Sequence, residues 1–115
     1  MNVLKETIAY LNGALDVPVS SDVPANRPDA FVTVERSGGG KTKVEDRATL
    51  TVQVWDADRL ALETLEESVG DALLLMPQYV DGVFSVSIDT ESYYPLQVGG
   101  TFPRYVLTAS VYAGR

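Results

Sequence analysis

Hydrophobic residues recur along this chain with two different periods. From Val3 to Leu15, the residues Leu4, Ile8, Leu11 and Leu15 stand at i, i+4, i+7 and i+11, which marks one face of a helix whose last turn Gly13 weakens. Between Ala48 and Trp55 the period shortens to two. Ala48, Leu50, Val52 and Val54 alternate with Thr49, Thr51, Gln53 and Trp55, the pattern of a half-buried strand. Asp56 and Asp58 then offer N-cap oxygens to a second helix that reaches about Met76, with Leu62, Leu65, Val69, Ala72, Leu73 and Met76 as its inner stripe. Alternation returns as Phe84, Val86 and Ile88 against Ser85, Ser87 and Asp89. A closing strand, Tyr105 to Tyr112, carries Leu107, Ala109 and Val111 on one face.

The intervening segments read by their breakers. Val17 to Ser20 is a short extended piece that Pro18 confines to a sheet edge. Asp22 to Asp29, with Pro24 and Pro28, is a connector, and Phe31 to Arg36 is a strand with Val32 and Val34 on one face. Ser37-Gly38-Gly39-Gly40 is expected to break that strand and open a mobile loop to Arg47, where Val44 is the sole apolar anchor. Pro77 and Asp81-Gly82 should end the second helix, and Glu91 to Pro103 should form a long loop.

The predicted order is α-β-β-β-α-β-β. It implies one α+β domain over residues 1–115: a two-layer sandwich of two helices on one face of a four- to five-stranded, mostly antiparallel sheet. Leu50, Val52, Leu65, Val69, Val86, Leu107 and Val111 are the expected core. Thr33, Glu35, Thr49, Thr51, Gln53, Ser85, Ser87, Thr108 and Ser110 should form a polar outer face.

Composition narrows the chemistry. The chain has 115 residues, no cysteine and no histidine, so thiolate and disulfide chemistry are excluded and the commonest metal ligand and near-neutral general base are missing. An enzyme is not expected, and no cofactor or metal site is predicted. Nine Lys and Arg against sixteen Asp and Glu give a net charge of -7, with the cations scattered, which argues against tight nucleic-acid binding. No apolar run approaches the roughly 18 residues of a membrane span. Met1 to Glu6 lacks a basic segment leading into an apolar core, so cytoplasmic synthesis is the expectation.

Five patterns invite a functional test. Glu35-Arg36-Ser37-Gly38-Gly39-Gly40-Lys41-Thr42 nearly matches a phosphate-binding loop, but Glu35 replaces the first glycine and a strand, not a helix, should follow. Asp56-x-Asp58, Glu45-Asp46 and Asp89-x-Glu91 are paired carboxylates that suit a helix start and loop edges; Ser20-Ser21-Asp22 lacks the context of a nucleophile. Glu63, Glu67 and Asp71 form an acidic line on the second helix, and Leu60, Leu74 and Leu75 also point away from its inner stripe, so this face is either solvated or a contact with another subunit. Aromatics gather late, as Tyr79, Phe84, Tyr93, Tyr94, Phe102, Tyr105 and Tyr112, which suits an interface or a loop folded over its own core.

The run Pro24-x-x-Arg27-Pro28-x-x-Phe31-Val32-x-Val34-Glu35-Arg36-x-Gly38-Gly39 resembles the tail terminator, or tail-completion, proteins of long-tailed bacteriophages. The likeness continues through Ala48-Thr49-Leu50-x-Val52-x-Val54-Trp55, the following helix and Arg104-Tyr105-x-Leu107-Thr108-x-x-Val111. It implies a structural virion protein without catalytic residues. Such a subunit forms a ring with copies of itself, commonly a hexamer, on the head-proximal end of the tail tube. There it stops polymerisation of the tail tube protein and offers a surface to the head-tail connector protein. DNA passes through the ring without specific binding, helped by an acidic lumen. The expected location is the host cytoplasm during assembly and then the tail or neck of the virion, with no membrane contact. Lys41, Lys43, Glu45, Asp46, Arg47, Leu60, Leu74, Tyr93, Tyr94 and Phe102 are the candidate contacts to tube or neighbouring subunit. A head-tail connector (stopper or adaptor) of the phage neck is the nearest alternative. A small-molecule-binding α+β regulatory domain is the alternative from another class.

Overall fold

Helix α1 spans Val3–Ala14 and begins where the Asn2 side chain accepts from the Lys5 N–H. The computed structural model describes residues 1–115. After α1 come β1 (Val19–Ser20), β2 (Ala30–Lys41) and β3 (Glu45–Asp56), then α2 (Arg59–Tyr79) and β4 (Val83–Tyr93). A small hairpin, β5 (Leu96–Gln97) with β6 (Thr101–Phe102), leads into β7 (Arg104–Gly114). The main sheet has the order β1-β2-β3-β7-β4; only the β1–β2 pairing is parallel. The class is therefore α+β, with two helices and a mostly antiparallel five-stranded sheet. Neither helix is long and apolar enough to cross a membrane.

One core joins the helices to the inward phase of the strands. Val32, Val34, Leu50, Val52, Val54, Leu107 and Val111 meet Leu62, Val69, Leu73 and Met76 from α2 and Val3 and Leu11 from α1. On α1 the buried line is Val3, Thr7 and Leu11, flanked by Leu4 and Ile8, so the face is turned slightly from the one centred on Leu4 and Ile8. Thr7 is accommodated because its hydroxyl donates to the Val3 carbonyl at 2.7 Å. Leu65 is half-buried, since Glu66 takes the inward position beside it. Asp58 caps α2 by accepting from the Leu60 N–H, while Asp56 accepts from the Asp58 N–H.

Several boundaries differ from expectation, each for a local reason. Ser37 to Arg47 is not a loop: after one register shift between Arg36 and Gly38, β2 and β3 stay paired out to Lys41 and Asp46, and the chain turns only at Thr42 to Val44. Gly39 has φ +115°, and a Cβ there would lie 1.9 Å from the Arg47 carbonyl oxygen, so glycine is what permits the strands to approach. Pro77 lies inside α2 near its end, where only the one N–H is lost. In β4 an irregularity between Val83 and Ser85 puts Val83 in the core and leaves Phe84 exposed, then returns Val86 and Ile88 to the inner side as half-buried residues. The segment Glu91 to Pro103 is shorter as a loop than the sequence suggests, because β4 continues to Tyr93 and β5–β6 folds on itself.

Asn12 closes one edge of the sheet. Its amide donates to the Val19 carbonyl at 2.8 Å and accepts from the Val19 N–H at 3.0 Å, so the side chain stands where another strand would bond. At the opposite edge β4 has no such neighbour.

Candidate interaction site

The candidate residues fall into three separate places. The first is the end of the β2–β3 hairpin, which carries Lys41, Lys43, Glu45, Asp46 and Arg47. Thr42 shapes the turn, its hydroxyl accepting from the Glu45 N–H at 3.1 Å. Lys41, Lys43 and Val44 are exposed, and Glu45 pairs with Arg47, whose guanidinium lies 5.3 Å from the Tyr112 ring. Asp46 is not part of this exposed set. Its side chain is 3 % exposed and accepts from both terminal nitrogens of Arg36 at 2.9 and 2.8 Å. The pairing follows from register: both residues occupy the inward phase beyond the end of the apolar core, and Asp46 lies opposite Ala113 of β7. The hydrogen bonds from Arg36 hold the Asp46 carboxyl below its ordinary pKa and raise that of Arg36. The segment resembling a phosphate loop is thus one arm of a hairpin, with no helix following it.

The second place is the outward side of α2. Leu60 lies in the first turn at 80 % exposure and Leu74 four turns on at 50 %. They stand roughly 21 Å apart along the helix axis and do not form one patch. Leu75 and Tyr79 instead line a solvent-open apolar groove with Ala9, Tyr10 and Ala72 between α1 and α2. Tyr10 crosses this groove, stacked on Tyr79 and donating to the Ala72 carbonyl at 2.6 Å. Burial, with Tyr79 beside it, raises the Tyr10 pKa.

The third place lies at the opposite end of the sheet from the hairpin tip. Phe31 and Trp55 are neighbours across β2 and β3 on the outer face, stacked with centroids 5.3 Å apart. Arg27 of the connector lies over Phe31, Trp55 and Phe102, nearest to Phe102 at 4.3 Å. Arg104 approaches the Trp55 ring to 5.0 Å and the Tyr94 ring to 5.5 Å, and donates from Nε to the Tyr94 carbonyl. Two guanidiniums and four aromatic rings thereby clamp the connector and the β5–β6 hairpin onto the sheet. Burial lowers the Arg104 pKa.

Nearby, Tyr93 carries the Arg59 guanidinium at 3.9 Å and meets Tyr105 edge-on at 5.7 Å. The Tyr105 hydroxyl donates to Glu63, which also pairs with Arg59. These contacts, Arg59 first, hold the Glu63 carboxyl below its ordinary pKa. Glu63 therefore stays ionised in an ion pair with Arg59, whereas Glu67 and Asp71 on the same line have no cation within ion-pair distance.

The inner stripe read from the sequence left out Glu66. Its residue is 8 % exposed, and its carboxyl has only the Glu91 carboxyl to share a hydrogen bond with. Glu91 of β4 faces it, with one oxygen 3.7 Å from where a Cβ on Gly70 would stand. Burial first, then hydrogen bonding and repulsion from Glu91, push the Glu66 carboxyl up to about 7. The signal available in the sequence was its spacing: Glu66 sits between Leu62 and Val69 on the inner stripe.

No protein-family model matches the chain, and no curated protein matches it in sequence.

Proposed function

We propose that this chain is a tail-terminator subunit: a two-layer sandwich that assembles as a ring, caps the head-proximal end of a phage tail tube and presents a surface for head joining. The observation that carries the proposal is where the resembling residues lie. Arg27, Pro28, Phe31, Trp55 and Arg104 are far apart in sequence yet converge on one cation–aromatic clamp. Arg36 and Gly39 both shape the β2–β3 hairpin, through the Asp46 pair and the close strand approach. These residues therefore set two structural devices, and neither is a catalytic arrangement.

A capping ring needs repeated modest contacts around the circumference of the tube, since several weak contacts acting together produce tight capping. Lys41, Lys43, Glu45 and Arg47 at the hairpin end offer such a contact to the tube or to a neighbouring subunit. The single most direct test is electron microscopy of the purified protein with and without tail tubes, joined to deletion of its gene from the phage. Rings on tube ends, and overlong tails left unjoined to intact heads, are the expected results. Tails of normal length that fail only to join would assign the protein to the connector. Normal, joined tails would remove both assignments.

A further inference from the structure

Among the six arginines of the chain, Arg27 is set apart by what its guanidinium lacks. Arg36, Arg47, Arg59, Arg104 and Arg115 each donate at least one hydrogen bond. Arg27 donates none and has no carboxylate within ion-pair distance. Its guanidinium lies only against the rings of Phe31, Trp55 and Phe102, at 5.7, 5.0 and 4.3 Å from their centroids. Val23 to Pro28, the stretch that carries it, makes no backbone hydrogen bond, so no backbone pairing fixes Arg27 where it lies.

The three rings form a box suited to a cation. Phe31 and Trp55 supply a stacked floor, 2 % and 3 % exposed, and Phe102 of the β5–β6 hairpin supplies a side. The Trp55 Nε1–H is turned to the Thr33 hydroxyl at 3.5 Å, which leaves the face of the ring for the cation. Beside the box lies a solvent-open cavity of about 150 Å³, lined in part by Asp29 and Asp56. Asp56 accepts from the Asp58 N–H with one oxygen and keeps the other. Neither carboxylate has a lysine or arginine within ion-pair distance. The guanidinium now in the box therefore meets the rings but not the acids at their edge.

We propose that the Phe31–Trp55–Phe102 box is a receptor for an arginine side chain of a partner protein, and that Arg27 fills it in the free chain as a built-in substitute. The chain itself shows the chemistry the box accepts, a flat guanidinium on aromatic faces. Charge decides the sign of what enters: two unpaired carboxylates, on a chain of net charge -7, favour a cationic side chain. An arginine arriving through the cavity keeps the ring contacts and adds ion pairs to Asp29 and Asp56 that Arg27 does not make. That difference is what displaces Arg27. Against it stands the tether, which keeps Arg27 at a high local concentration, so the partner must also make contacts outside the box. Arg104 is not exchanged. It approaches the same Trp55 ring, but its donors are engaged by the Tyr94 carbonyl and Gln53. The inference uses the clamp alone and holds whether or not the chain forms a ring.

Trp55, the chain's one tryptophan, lies in the box, so its fluorescence reports occupancy directly. The probe is the peptide acetyl-Gly-Arg-Gly-amide, compared with the same peptide carrying citrulline, the neutral isostere of arginine. Arg27→Gln should bind the arginine peptide saturably and about 10-fold tighter than the wild type does, because the tethered competitor is gone. The citrulline peptide should give no saturable change. Adding Asp29→Asn and Asp56→Asn to Arg27→Gln should weaken the arginine peptide about 5-fold, since two exposed ion pairs are lost. Circular dichroism melts check that each variant is folded. The wild type gives a second readout with no substitution: the NMR signals of the Arg27 side chain, displaced by the rings, should move toward free-arginine positions as the peptide is added. A folded Arg27→Gln chain that does not respond, equal binding of the citrulline peptide, or an affinity indifferent to the two aspartates would each overturn the receptor. Association of the Arg27→Gln chain with the wild-type chain in sedimentation would place a second copy in the box and overturn the choice of partner. Tail length in the deletion phage is read separately, so failure of the receptor and failure of the capping function are distinguishable.

Discussion

Replacing Arg36 by methionine probes the base of the hairpin. The substitution keeps much of the side-chain length and removes the donors to Asp46, leaving a carboxylate that is 3 % exposed with only the more distant Lys41 and Arg115 to favour its charge. Breaking a fully buried pair costs about 3 to 5 kcal/mol, whereas exposed pairs contribute about 0 to 1 kcal/mol. Arg36 is 27 % exposed, so its side of the pair is partly screened. A cost of about 2 to 3 kcal/mol follows, equivalent to a fall in Tm of roughly 10 °C for a domain of this size. Urea unfolding followed by the fluorescence of Trp55, the chain's one tryptophan, measures it. The pH dependence is the sharper check. In the wild type the native carboxyl is held below its unfolded value, so its contribution is full above about pH 5 and is lost as pH falls through the native pKa. In the variant, burial alone pushes the carboxyl up, and protonation relieves the penalty. The gap between the two proteins should therefore narrow as pH falls from about 7 to about 3. A cost below about 0.5 kcal/mol, or a gap unchanged over that range, would refute the structural role of the pair.

Three further outcomes are expected. Leu73→Ala should lower stability by about 2 to 5 kcal/mol while Leu74→Ala, half exposed one residue later, stays within about 0.5 kcal/mol; equal effects in thermal melts would mean that α2 is wrongly phased. Gly39→Ala should open the end of the hairpin and speed amide exchange from Gly38 to Ala48, because of its φ of +115° and the Arg47 carbonyl beside it, whereas Gly40→Ala should leave exchange unchanged. Glu66 is raised to about 7 in the folded chain, so the native state holds a proton that the unfolded state has released and stability should fall as pH rises from about 5 to 8. Glu66→Gln should flatten that slope and stabilise the protein at the alkaline end, with Glu63, Glu67 and Glu91 still present; an unaltered slope in the melts would place its origin elsewhere.

Periodic patterns carried the central elements. Leu50, Val52 and Val54 announced β3 because its two faces meet such different surroundings, and Leu62, Val69, Leu73 and Met76 announced α2 for the same reason. The pattern failed where one residue shifts the phase. The irregularity after Val83 exposes Phe84, which no reading by alternation alone could anticipate. Composition misled at Gly38 to Gly40, where three glycines suggest freedom while all three lie in a paired strand and Gly39 approaches the Arg47 carbonyl too closely for a Cβ. The clamp was half visible. Phe31 and Trp55 could be placed on strands and Arg104 just before one, but the convergence of Arg27 on the two rings depends on the path of an aperiodic connector. Asp46 looked like one more loop charge until β3 was found to begin at Glu45, which turns its side chain inward toward Arg36.

The position of β7 has a consequence for how the chain acquires its shape. The last strand in chain order lies inside the sheet, between β3 and β4. Until it is made, the β2–β3 hairpin and the α2–β4 unit have no strand to join them, and the inward residues Leu107, Ala109 and Val111 are missing from between them. A growing chain therefore cannot complete its sheet strand by strand as it emerges; the pieces must wait and then close together around β7. The clamp at Arg104 and the partner of Glu45 at Gly114 form in that same step. An interrupted chain lacking β7 would be left with two unpaired strand edges and an open core, a species exposed to degradation.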